Sequence, residues 1–85
     1  MILKNIDDFK EGYYIATRTG EASFKEPLVV LTEVFKNYRG FHCIDLYIIE
    51  GVEEEKLEDW VITAGIFKQY TFQRIEKTEY PEYFL

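Results

Sequence analysis

The sequence predicts an all-β domain. Its expected form is a small five-stranded antiparallel SH3-like barrel, or a strongly curled sheet, with short helical or 3-10 turns between strands. Three observations lead there. Five segments rich in β-branched and aromatic residues fall between Tyr13 and Glu76, the composition that suits a pleated, half-buried surface. Breakers at Gly12, Gly20, Pro27, Gly40, Gly51 and Gly65 separate them. Two of the segments are joined by only four residues, which makes them an antiparallel hairpin. A tight hairpin, a longer first loop and a helical break before the last strand follow the SH3-like order of elements. An OB-like barrel would need room for its helix, and the chain offers little.

The elements follow in chain order. Met1–Leu3 reads as a short edge strand. Asn5 reads as a helix N-cap, with Asp7 and Asp8 in a first turn whose dipole favours anions; Gly12 closes that turn. Tyr13–Thr19 is the first full strand, and residues 20–27 form a loop ending at Pro27, which cannot donate to a ladder. Leu28–Lys36 and Phe41–Ile49 are the clearest strands. Between them lie Asn37 and Gly40, residue types that tolerate the positive φ of a hairpin turn. Val52–Asp59 reads as one or two helical turns, with Val52 and Leu57 toward the core. Trp60–Ala64 is a fourth strand, broken at Gly65, and Ile66–Gln69 is a single 3-10 turn. Tyr70–Glu76 alternates cleanly as a fifth strand, with Tyr70, Phe72 and Arg74 on one face.

Alternation assigns the faces. Ile44, Leu46 and Ile48 form an aliphatic row, so they are placed on the core. Leu28, Val30, Thr32, Val34 and Lys36 form the longer unbroken apolar set on the preceding strand, with polar ends that a strand terminus allows. Ile15, Trp60 or Val61, Ile62, Phe72 and Ile75 complete the core. Both hairpin strands are apolar on more than one face, which fits a curled sheet whose strands contribute to two surfaces, or a sheet whose outer face meets a partner.

With 85 residues, residues 1–85 form one domain, and residues 77–85 are an aromatic, acidic C-terminal tail. The one cysteine excludes an internal disulfide. The apolar runs are too short to span a membrane, and no signal peptide is apparent. The expected setting is cytoplasmic, with no membrane partner.

The net charge of −6 is unevenly placed. Residues 1–49 hold seven acids and six bases, whereas residues 50–59 hold six acids and one base. Direct nucleic-acid binding is therefore disfavoured, since it needs a basic surface. The stretch is read either as a solvated segment or as a patch aimed at a basic partner.

Motifs for chemistry are sparse. His42 and Cys43 are the only imidazole and thiol. As neighbours on a strand they face opposite ways, so no metal is expected. Cys43 is read as a small buried hydrophobe, and His42 as a strand-end residue with an ordinary hydrogen bond. Ser23, the only serine, lacks a nucleophile-elbow context. The glycines are dispersed, with no phosphate loop. No catalytic residue, metal or cofactor is assigned, and no enzyme activity is expected.

Protein binding remains. Seven tyrosines exceed what a core this size accommodates, because each buried hydroxyl needs a partner, and tyrosine suits interfaces. The candidate partner-binding residues are Glu53, Glu54, Glu55, Glu58 and Asp59, with Tyr13, Tyr14, Tyr38, Tyr80 and Tyr83. In size and charge the chain resembles small phage-type inhibitors of host-defence or nucleic-acid-handling proteins. By that likeness it would occupy a basic site on another protein. The alternatives are a peptide-binding or accessory SH3-like barrel, and a homo-oligomeric structural subunit, such as a homodimer, joined through edge strands.

Overall fold

The computed structural model describes residues 2–18, 28–51 and 59–84. Its strands are β1 (Gly12–Arg18), β2 (Val29–Asn37), β3 (Gly40–Glu50), β4 (Asp59–Val61) and β5 (Tyr70–Ile75). They form one antiparallel sheet in the order β4-β3-β2-β1-β5. A helix, α1 (Ala64–Gln69), stands between β4 and β5. Ile2 bridges to Gln73 on the far side of β5.

The β2–β3 hairpin turns at Tyr38-Arg39, with Asn37 paired to Gly40. Gly40 has φ +114, while among the described residues none other than glycine has a positive φ. A primed two-residue turn, which needs positive φ at its central positions, is thereby excluded. Asn37 contributes instead through its side chain: Oδ1 accepts from Arg39 N at 2.8 Å, the local bond for which asparagine is favoured in turns.

The sheet curls until its edges meet through side chains. Trp60 on β4 lies 5.5 Å from Tyr70 and 6.1 Å from Phe72 on β5, ring to ring. The concave side holds the core of Leu3, Phe9, Tyr14, Ala16, Val34, Cys43, Ile62 and Phe72. Phe9 anchors it, edge-on to Tyr14, Phe67 and Phe72 at 5.3, 5.7 and 5.0 Å.

Several expectations need correction. The row Ile44, Leu46 and Ile48 is not one core face. Thr32 pairs with Asp45 but Leu31 with Tyr47, so Leu46 is an extra residue; Ile49 is another. Each bulge resets the alternation. Cys43, not Ile44, is buried in the core, while Leu46 is 39% exposed. The fourth strand ends at Val61 because Thr63 caps a helix: its Oγ1 accepts from Ile66 N at 3.2 Å. Gly65 sits inside that helix rather than breaking a strand. Asn5 precedes a 3-10 turn, Ile6–Asp8, but its side chain makes no cap bond. Asp59 belongs to β4, and the rest of the proposed 52–59 helix lies outside the described residues.

Candidate functional site

Strand register decides what each face of the sheet carries, because directly opposed residues share a face. Val34 and Cys43 fix the concave side, since both are buried in the core. Counting from them, Arg18, Lys36, Asp45 and Arg74 belong to the concave side, and Glu33, Glu50 and Asp59 to the convex side. Every strand cation among the described residues thus lies on the concave side. The charged residues of the strands on the convex side are all acids.

The convex side is crossed by residues 76–84, folded as two 3-10 turns, Lys77–Glu79 and Pro81–Tyr83. Phe84 meets Tyr13 of β1 edge-on at 4.7 Å, and Tyr83 meets Tyr47 of β3 at 5.5 Å. Leu31, on β2 between those strands, is fully buried. Lys77 places its ammonium 5.1 Å from the Tyr13 ring and 5.4 Å from that of Phe84. The segment adds Glu76, Glu79 and Glu82, all exposed.

The sequence-derived candidates are scattered by this arrangement. Tyr13 is half-buried beneath Phe84 and Lys77. Tyr14 is a correction: it is fully buried. Its hydroxyl accepts from Lys10 N at 3.1 Å and donates to Lys10 O at 2.9 Å. A partner could reach it only by opening the core. Tyr38 is 89% exposed at the hairpin tip, with the Arg39 guanidinium 5.3 Å from its ring centre. Tyr80 and Tyr83 are half-buried and stacked at 6.1 Å. Asp59 is exposed. Glu53, Glu54, Glu55 and Glu58 lie outside the described residues.

Sequence reasoning missed Tyr47, which is 52% exposed and touches Tyr83. Alternation with Ile44, Leu46 and Ile48 on the core already turns Tyr47 outward, but it groups Tyr47 with Cys43 and Asp45, and the bulge at Leu46 is what parts them, leaving Tyr47 convex and the other two concave. It also missed the segregation of charge, which depends on register.

Cys43 and His42 face opposite ways, as alternation requires. Cys43 is fully buried, and its thiol is pushed from 9.0 up to about 12, chiefly by desolvation, with a smaller push from Asp45 and an opposing bond to Thr32. Such a group stays a thiol at neutral pH and is a poor nucleophile. His42 packs on Phe35 at 5.1 Å. Its Nδ1 is buried with no hydrogen-bond partner among the described residues, contrary to the ordinary bond expected. Among those residues no three His, Cys, Asp or Glu side chains converge as a metal site. No helix among them is long and apolar enough to cross a membrane. An open groove of about 680 Å³ is lined by Ile2, Leu3, Phe9, two lysines and two aspartates, a balance that selects no charge.

No protein-family model matches the chain, and no curated protein or solved structure matches it. The functional reading therefore rests on this geometry.

Proposed function

We propose that the protein is a non-enzymatic binding domain whose convex face engages a basic surface on another protein. The observation that carries this reading is the segregation of charge by register. Glu33, Glu50 and Asp59 share the convex side with the exposed carboxylates of the tail, and the acid-rich stretch 50–59 runs between two of them. Clustered like charge costs some stability through self-repulsion but raises the rate of encounter with an oppositely charged partner. In its sharper form the domain is an acidic inhibitor of phage type, filling a site built for nucleic-acid phosphates on a host-defence or nucleic-acid-handling protein.

The test is affinity capture from cells at low and high salt, with the wild-type chain and a Glu53→Gln/Glu54→Gln/Glu55→Gln variant. The reading expects a basic protein recovered by the wild type at low salt and lost from the variant. Equal recovery by both chains, insensitive to salt, would refute it.

A further inference from the structure

The convex face has a second feature that charge alone does not explain. Tyr47, Tyr83 and Tyr80 form a continuous row of rings, with successive centroids 5.5 and 6.1 Å apart. Nearby on the same face, an aromatic pair already holds a cation: the Lys77 ammonium lies within 5.4 Å of both Tyr13 and Phe84. Arg39 over Tyr38, Lys36 over Phe41 and Arg74 over Tyr14 repeat the pairing elsewhere. Among the described residues, Tyr47, Tyr80 and Tyr83 have no such cation, although Tyr47 is half exposed. Exposed carboxylates border the row. Glu79 and Glu82 flank Tyr80 and Tyr83 in the tail, and Glu50 shares the convex side three residues beyond Tyr47.

From this we infer that the Tyr47–Tyr83–Tyr80 row is a docking site for lysine or arginine side chains on an extended basic segment of a partner protein. The inference rests on the binding function proposed above and names the side-chain chemistry that the partner brings. Ring faces carry negative potential and attract a cation. The guanidinium of arginine, planar and weakly hydrated, stacks on them best. The bordering carboxylates lower the energy of the same cation at longer range and are screened by salt, while ring contacts at close range are screened less. A nucleic acid fits this surface poorly, because its phosphates would meet the acids.

The experiment uses the full chain and a synthetic dodecapeptide of alternating arginine and glycine, titrated at low salt. Binding is followed by calorimetry and by the tyrosine ring signals in NMR. The ring signals of Tyr47, Tyr80 and Tyr83 should move. A Tyr47→Leu/Tyr80→Leu variant, checked for folding by far-UV circular dichroism, should bind about five-fold more weakly. Tyr80→Phe, which keeps a ring face, should bind like the wild type. Unchanged affinity in the leucine variant, with peptide binding still abolished by the Glu53→Gln/Glu54→Gln/Glu55→Gln changes, would overturn the tyrosine site and leave the acidic reading standing. No binding to the wild type at low salt would overturn both.

Discussion

Replacing Phe84 by Ala tests whether the C-terminal tail is part of the fold or a free arm. Phe84 is half-buried, meets Tyr13 edge-on at 4.7 Å and lies 5.4 Å from the Lys77 ammonium. An aromatic pair contributes about 0.5–1.5 kcal/mol beyond its buried area. An exposed cation–π contact contributes about 0.5–1 kcal/mol. Half-burial of the side chain adds about 1 kcal/mol. Since these contributions share atoms, the expected loss is about 2–3 kcal/mol rather than their full sum. A chain of this length has a total stability of about 4–13 kcal/mol, so the loss is large. It should lower Tm by roughly 8–20 °C and shift the urea midpoint at nearly constant slope. The control is Glu82→Gln, at an exposed tail position, which should change stability by less than about 0.5 kcal/mol. If Phe84→Ala is as silent as the control, the tail does not pack on its own sheet and the convex face lies open.

Two further outcomes follow from single residues. Cys43 should react with iodoacetamide much more slowly than an exposed thiol, and faster only when urea unfolds the chain. The upward shift of its thiol makes the wild type lose stability between pH 9.0 and about 12, because the unfolded chain ionises first. The slope is up to about 1.4 kcal/mol per pH unit, and a Cys43→Ala variant should lack this increment. Gly40→Ala should cost about 1–3 kcal/mol by chemical denaturation. The cost is backbone strain at φ +114 and not a clash, since an added Cβ meets nothing within 4 Å; an unchanged midpoint would place Gly40 in an ordinary conformation.

The hairpin and the fifth strand were legible because their signals are local. Asn37 and Gly40 mark a turn between two strong strand runs, and Tyr70–Ile75 alternates without interruption. The faces of β3 were not legible. A bulge changes parity without changing residue type, and nothing in FHCIDLYII marks Leu46 as the inserted residue. Thr63 is an ordinary N-cap residue, but its place inside an apparent strand hid it. Tyr14 reads as surplus until its hydroxyl is seen to close on the backbone of Lys10, four residues back. The acidic stretch was visible as composition. That Glu33, Glu50 and Asp59 share one side, opposite Arg18, Lys36 and Arg74, requires the register of all five strands.

The most direct test of the binding account is the association rate of the captured partner as salt is raised. An encounter steered by the acidic convex face should slow steeply toward physiological salt, where the Debye length is about 8 Å. In the Glu53→Gln/Glu54→Gln/Glu55→Gln variant the low-salt rate should already be reduced, and its dependence on salt shallower. An association rate that is flat across the salt range, and equal in the two chains, would contradict the claim that the acidic charge of this chain recognises a basic partner.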